Sequence, residues 1–205
     1  MNIVLIHIGN KNIDCVIDTF RHLLKYKNKN IFFLANKNII NKLKLKKISK
    51  TIKLHYLDDI EISKKHEIFL NKNNLDKKFG NGFWIKTLER FFYLESFCQN
   101  KKFKNIIHLE NDVLIFDDLD KYKNIFSKNF NIGMTFLNQK LCVPGFIFFK
   151  DYKKLNFLCN YIVKKNKYFF QKKNKNDMKL LAEMYDEFRN IKKYTIRLLP
   201  TMNNE

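Results

Sequence analysis

Asn105-Ile-Ile-His-Leu-Glu-Asn-Asp-Val-Leu-Ile-Phe116 sets three polar residues, two of them acidic, between apolar runs near the middle of the chain. Two apolar runs, Ile106 to Leu109 and Val113 to Phe116, flank three polar residues, Glu110, Asn111 and Asp112. Short β-branched runs of this kind read as strand buried on both faces, as in an α/β sheet. Carboxylates at the end of such a strand cost free energy unless something pairs with them. In an extended chain Glu110 and Asp112 are two residues apart and point the same way, with α-carbons roughly 7 Å apart. That suits a divalent cation, Mn²⁺ or Mg²⁺, which takes one or two carboxylates and leaves its other positions for substrate phosphates. The alternative is a strand end followed by a turn, with both acids solvated.

The segment immediately upstream, Phe83 to Phe97, is read as a helix. Wound at about 100° per residue, Trp84, Ile85, Leu88, Phe91 and Phe92 form one broad apolar stripe. Lys86 and Arg90, four residues apart, share the opposite stripe with Tyr93 and Phe97. A helix apolar on nearly every side is buried on nearly every side, so the two cations are expected to face a cleft. There they would suit the phosphates of a nucleotide. The competing reading has both cations snorkelling to solvent past aromatic neighbours.

Towards the N-terminus the pattern repeats. Ile3 to Ile8 is a short buried strand ending in Gly9-Asn10, followed by a helix over residues 12 to 26 whose apolar face is Ile13, Val16, Ile17, Phe20, Leu23 and Leu24. A strand at Ile31 to Ala35 ends at Asn36, a lysine-rich helix carries Ile39, Ile40 and Leu43, and a third strand covers Ile52 to Leu57. Alternating strand and helix imply a parallel sheet covered on both faces. Ligands of such sheets bind beyond the carboxyl ends of the strands, here near Gly9 and Asn36. The Gly-x-Gly-x-x-Gly dinucleotide fingerprint is absent. Asp58-Asp59 is expected to cap a short helix carrying Ile60, Ile62 and Ile68, and Phe79-Gly-Asn-Gly82 is a loop with two flexible points.

Downstream, Asp118 is expected to cap a helix over 119 to 126. Strands are expected at Ile132 to Leu137 and at Cys142 to Phe149, the second entered through a Pro144-Gly145 turn. A helix with Leu155, Leu158, Cys159, Ile162 and Val163 follows. A helix then starts at Asn176-Asp177, and Tyr194 to Pro200 forms a last strand. Asp177 reads either as a cap complementing the helix dipole or as an acid aimed into the cleft from a helix start.

At 205 residues the chain allows one sizeable domain, and no repeat or linker is visible. It is read as a single domain, with 1–112 the nucleotide-binding half and 113–205 the acceptor-side half. There are 40 Lys plus Arg against 20 Asp plus Glu, a formal charge of +20. The excess is nearly all Lys, spread along the chain among abundant Asn, Ile and Phe, the composition of an AT-rich genome. Clustered basic residues with exposed aromatics, the mark of a nucleic-acid-binding domain, are not found. The charge is compatible with an anionic nucleotide or with peripheral contact with an anionic membrane surface. Cys15, Cys98, Cys142 and Cys159 show neither disulfide nor zinc spacing. With no signal peptide and no long apolar run, a cytoplasmic protein, at most at the inner face of the membrane, is expected.

Phe83 to Phe116 resembles glycosyltransferases of the GT-A fold. It looks closest to a group of bacterial and viral sugar transferases with the pattern aromatic-Trp-x-x-Thr-x-x-Arg-Phe-x-x-Leu, then His-x-Glu-Asn-Asp-Val. These positions are Phe83-Trp84, Thr87, Arg90-Phe91 and Leu94, then His108, Glu110-Asn111-Asp112 and Val113. The resemblance extends more loosely through Pro144-Gly145-Phe146, Asn176-Asp177-Met178 and Leu199-Pro200. It implies a Rossmann-like α/β fold with a mixed, mostly parallel sheet flanked by helices. It also implies a nucleotide-sugar donor, a glycan or other surface-polysaccharide acceptor, and a divalent metal on a variant of the Asp-x-Asp motif. By that analogy Asp112 binds the metal directly and Glu110 touches metal or ribose. Ile8, Gly9, Asn10 and Asn36 line the base, and Lys86 and Arg90 meet ribose or phosphates. Asp177 stands as the acceptor-side acid or general base. Glu replaces the usual Asp at the first motif position. The chain also stops soon after Leu199-Pro200, where the family generally continues into a metal-binding His and part of the acceptor site. A nucleotidyl- or phosphotransferase using the same acids is the alternative enzyme, and a non-catalytic nucleic-acid-binding domain the alternative outside enzymes.

Overall fold

The computed structural model describes residues 1–9, 13–45, 50–73, 75, 77–138, 140–169, 176–191 and 196–199. Seven strands form one sheet: β1 (Asn2–His7), β2 (Ile31–Ala35), β3 (Ile52–Tyr56), β4 (Lys104–Leu109), β5 (Ile132–Asn138), β6 (Leu141–Asp151) and β7 (Ile196–Leu198). Their order across the sheet is β3-β2-β1-β4-β6-β5-β7. The β3, β2, β1 and β4 strands run parallel, β6 lies antiparallel between β4 and β5, and β7 pairs parallel with β5. One sheet thus spans both halves of the chain.

Seven helices cover it: α1 (Asp14–Lys25), α2 (Lys37–Leu45), α3 (Lys64–Lys72), α4 (Phe83–Asn100), α5 (Lys123–Asn129), α6 (Tyr152–Phe169) and α7 (Asp177–Phe188). The strands are apolar on both sides because both sides are covered. Leu5, Phe33 and Ile107 pack with α1 and α2 on one face, whereas Val4, Leu34, Ile106 and Ile147 pack with α4, α6 and α7 on the other. Alternation along β4 therefore sends Ile106 and His108 towards α4 and Ile107 and Leu109 towards α1.

Several local expectations change. The run Val113–Phe116 is not a strand. The chain turns at Glu110–Asp112, with Val113 N–H donating to Glu110 O at 3.4 Å, and then leaves the sheet. Only Ile115 of the described run is deeply buried, while Leu114 and Phe116 are exposed. Glu110 N–H still donates to Gly145 O of β6, and pairing stops at the turn that follows. The turn also removes the extended geometry in which Glu110 and Asp112 point the same way. Asp58-Asp59 lies in a short 3₁₀ turn and caps no helix; Ser63 caps α3 instead, its hydroxyl accepting from His66 N–H at 3.3 Å.

Pro144-Gly145 is no turn but lies inside β6, where pairing with β5 jumps from Met134↔Ile147 to Thr135↔Val143. A proline has no N–H to give the ladder, and an irregular register is where a strand accommodates one. Asp118 does act as a cap, but of the 3₁₀ turn Leu119–Tyr122 that precedes α5. Asn176, not Asp177, caps α7, its side chain accepting from Lys179 N–H at 3.1 Å. Of the expected last strand, Ile196–Leu198 is observed, and residues 194, 195 and 200 lie outside the described residues.

Candidate functional site

From β1 the chain moves to β2 and β3 on one side, then returns to place β4 on the other side of β1. In open α/β sheets such a reversal marks where the ligand crevice lies, here at the carboxyl ends of β1 and β4. Its edges are tied together by side chains. Gly9 N–H donates to Asn36 Oδ1 at 3.0 Å, joining the ends of β1 and β2. Gly9 has φ +139°, and among the described residues no atom stands within 4 Å of where its Cβ would be. Asn111 Nδ2 donates to Ile6 O at 3.2 Å and lies 3.1 Å from His7 Nδ1, while Asn111 O accepts from Thr19 Oγ1 at 2.8 Å. Asn111 therefore fixes the β4 turn to β1 and α1.

Glu110 is anchored through its backbone, its N–H donating to Gly145 O at 3.0 Å. Its Oε1 pairs with Arg90 of α4. The other side of the same guanidinium donates from Nη2 to Asp177 Oδ2 at 3.1 Å. Arg90 is 8% exposed and also lies over the Phe91 ring, 5.1 Å from its centroid. Arg90, Glu110 and Asp177 form one charge cluster joining α4, the end of β4 and the start of α7. Burial pushes the Asp177 carboxyl above its ordinary value, Arg90 pulls it back, and Glu110 adds to the rise. Asp177 Oδ1 also accepts from Met178 N–H at 3.0 Å. The Cys142 thiol is driven up by burial, then by Asp177 and Glu110, which leaves it protonated and inert.

His108 is fully enclosed beneath the cluster. Its Nδ1 donates to Val4 O at 3.2 Å, and burial with the nearby Arg90 charge holds its pKa down to about 3. A neutral imidazole is the only form that stands there at neutral pH.

Asp112 is exposed and its carboxylate has no partner among the described residues. Lys86, half-buried on α4, likewise has no ion-pair partner among them. Ile8 is half-buried against the core. Asn10 lies outside the described residues. The structure thus joins Ile8, Gly9, Asn36 and Asn111 along one edge of the crevice. It joins Arg90, Glu110 and Asp177 in a second group and leaves Asp112 and Lys86 open. Thr19 and Gly145 were not legible as site residues. Thr19 looks like any polar position of α1, and the Pro-Gly signal around Gly145 points to a turn.

A divalent ion, which this fold implies, can be tested against these residues. Among the described residues no group of three or more His, Cys, Asp or Glu is arranged to hold a metal. The Asp112 carboxylate is open and Glu110 gives Oε1 to Arg90, so Asp112 and the second oxygen of Glu110 are the groups that would hold the ion, with substrate phosphates filling its other positions.

Parallel strands wrapped by helices, with a ligand crevice at the switch point, define the class: a Rossmann-like α/β protein. More narrowly, it has the GT-A fold. No protein-family model and no curated protein matches the chain, but solved structures do. Mouse xyloside xylosyltransferase 1 aligns over 97% of this chain and 84% of its own, at 10% identity and TM-score 0.57. The galactosyltransferase LgtC, solved with donor and acceptor sugar analogues, aligns over 90% and 70%, at 14% identity and TM-score 0.54. A cytidylyltransferase from Leptospira borgpetersenii aligns over 98% and 76%, at 13% identity and TM-score 0.52. At such identities the likeness shows the fold alone.

Proposed function

We propose that the chain is a glycosyltransferase that moves a sugar from a nucleotide-sugar donor to a glycan or other surface-polysaccharide acceptor, with a divalent cation at Asp112 and Glu110. The observation that carries this reading is the β4 turn of a GT-A fold, beside the switch point of the sheet, which presents an open Asp112 carboxylate and a Glu110 held by Arg90. The base lies along Ile8, Gly9 and Asn36, and Asn10 belongs to the same edge in sequence. Lys86 meets the donor's phosphates.

Transfer breaks the bond between the sugar's anomeric carbon and the diphosphate oxygen, whose electron pair stays on the leaving nucleoside diphosphate. The acceptor hydroxyl oxygen forms the new bond and gives up its proton to solvent water, or to Asp177 where Arg90 is drawn away from it. The cation, when bound, supplies charge stabilisation of the leaving group. Lys86 adds a fixed positive charge on the same side. Arg90 stands with its terminal nitrogens engaged by Glu110 and Asp177, and it would meet the donor's ribose or phosphate from that position. It holds Glu110 in place, and Asp177 holds Arg90 from behind. Asp177 would accept the acceptor's proton only with Arg90 drawn away from it, and with Arg90 in place it acts as a positioning residue.

The similarity to the cytidylyltransferase supports a second reading, nucleotidyl transfer at the same crevice. A thermal-shift screen separates the two, since a ligand bound to the native state raises its melting temperature. Stabilisation by one nucleotide sugar with Mn²⁺ or Mg²⁺ is the expected result. Stabilisation by nucleoside triphosphates alone would favour the nucleotidyltransferase, and stabilisation by oligonucleotides alone would return the chain to nucleic-acid binding.

A further inference from the structure

The opposite edge of the sheet, where β1 and β4 begin, carries a second hollow of about 400 Å³. It is within the size range of small-ligand sites. Lys102, Lys104 and Lys123 line it together with Asn2, Asn30 and Asn105. The fold brings these residues in from four separate places. Lys102 closes α4 in the left-handed conformation, φ +51°, and Phe103 N–H reaches back to Cys98 O at 2.9 Å. Asn30 and Asn105 also have positive φ, +50° and +51°, which asparagine tolerates better than most side chains. Ile3 N–H donates to Asn30 O at 3.1 Å, and Asn2 Nδ2 donates to Lys104 O at 2.8 Å, so the three chain segments are pinned around the opening. Lys123 comes from the first residue of α5.

What sets this hollow apart on a lysine-rich surface is that three lysines and three asparagines gather around one concavity. Lys65, Lys121 and Lys165 are paired with carboxylates. Lys102, Lys104 and Lys123 have no carboxylate partner among the described residues, although two acids stand close by. Asp120 is engaged by the Met1 amine. Asp151, opposite Lys104 in the β4–β6 register, turns its Oδ1 to Lys153 and Lys154 N–H at 2.9 and 3.3 Å. The side-chain amides of Asn30 and Asn105 make no hydrogen bond among the described residues. Three unneutralised ammonium groups and free amide donors around one concavity recognise a phosphate group, with lysine supplying point charge and asparagine directed N–H.

We infer that this hollow is an anion site for a phosphate-bearing ligand, separate from the crevice at the other edge of the sheet. The phosphate is carried either by a small soluble molecule or by a lipid headgroup, and one experiment tells these apart. Inorganic pyrophosphate is titrated calorimetrically in EDTA at about 0.15 M salt, where the Debye length of about 8 Å screens diffuse surface charge. In parallel, co-sedimentation is measured with phosphatidylcholine vesicles with and without phosphatidylglycerol. The triple variant Lys102→Gln/Lys104→Gln/Lys123→Gln is compared with Lys37→Gln/Lys42→Gln/Lys72→Gln, which removes the same charge from exposed lysines elsewhere.

The expected result is a loss of affinity of about tenfold or more, one step of 1.4 kcal/mol, in the first triple and little change in the second. Loss in the pyrophosphate arm identifies a soluble phosphate. Loss confined to phosphatidylglycerol vesicles identifies a headgroup. Equal losses in both triples, or no binding by the unaltered chain in either arm, would overturn the site. Because EDTA removes divalent metal and the crevice residues are untouched, the outcome is independent of the glycosyltransferase reading.

Discussion

Replacing Arg90 by methionine probes the cluster on which the candidate site is built. The guanidinium pairs with Asp177, whose side chain is 4% exposed, and with Glu110, whose side chain is 27% exposed. Methionine keeps much of the packing but leaves Asp177 facing the protein interior with no opposite charge. Breaking a buried pair this way costs about 3–5 kcal/mol. Proton uptake sets a ceiling on the Asp177 share: at pH 7, neutralising a carboxyl of ordinary pKa costs about 1.36 kcal/mol for each of roughly 3 pH units, near 4 kcal/mol in all. Glu110 keeps contact with water and adds little. The variant should therefore unfold about 3–4 kcal/mol more easily at pH 7. The ceiling drops by about 2.7 kcal/mol between pH 7 and pH 5, so the penalty should shrink as the medium acidifies.

The sign agrees with the raised carboxyl of Asp177. A group whose folded pKa exceeds its unfolded value contributes stability that is full at low pH and is lost as pH rises through the folded value. Urea denaturation of both proteins at pH 7 and pH 5 gives the comparison. Adding Asp177→Asn should recover part of the loss, because the uncompensated charge is then gone. A penalty below about 1 kcal/mol at pH 7, or one that does not change with pH, would show that Arg90 does not compensate a buried Asp177 charge.

Three further outcomes follow from the geometry. His108, held neutral with its pKa near 3 against 6.5 for the free side chain, should make stability fall as pH drops from 6.5 towards 3, because the unfolded state binds the extra proton. The slope is at most about 1.4 kcal/mol per pH unit and should be missing in His108→Gln by denaturation across that range. Gly145→Ala would put a Cβ 3.1 Å from Val113 Cγ2 and 3.5 Å from Glu110 Oε2, so donor affinity should fall by about tenfold, 1.4 kcal/mol, in calorimetric titration; unchanged affinity would separate Glu110 from the ligand. Lys86→Ala should weaken nucleotide-sugar binding yet leave stability within about 0.5 kcal/mol, as for most surface changes, and a wild-type dissociation constant would return Lys86 to a structural role.

The parallel half of the fold was legible because each of its strands is a short apolar run followed by a helix with its own apolar stripe. Asn2–His7, Ile31–Ala35 and Ile52–Tyr56 appear where those runs predict them. What lay beyond reading was the partner of each element. Nothing local shows that β6 enters antiparallel beside β4, yet that placement brings Gly145 against Glu110 at the turn where β4 ends. Likewise, Arg90 and Asp177 are 87 residues apart in sequence. Helical spacing correctly gave Arg90 an inward face, but phosphate and carboxylate are equally good partners for a guanidinium, and only the folded chain shows which is present. Asp58-Asp59 and Ser63 illustrate the same limit at short range: both are competent helix caps, and the start of α3 selects between them.

The most direct test of the central claim is calorimetric titration of a nucleoside diphosphate, in Mn²⁺ and again in EDTA, into the unaltered chain and into Asp112→Asn. Asp112 is exposed and unpartnered, so its variant keeps the fold and any change belongs to the ligand site. Binding should need Mn²⁺ in the unaltered chain and disappear in Asp112→Asn. Equal binding by both proteins, or binding indifferent to Mn²⁺, would contradict that claim.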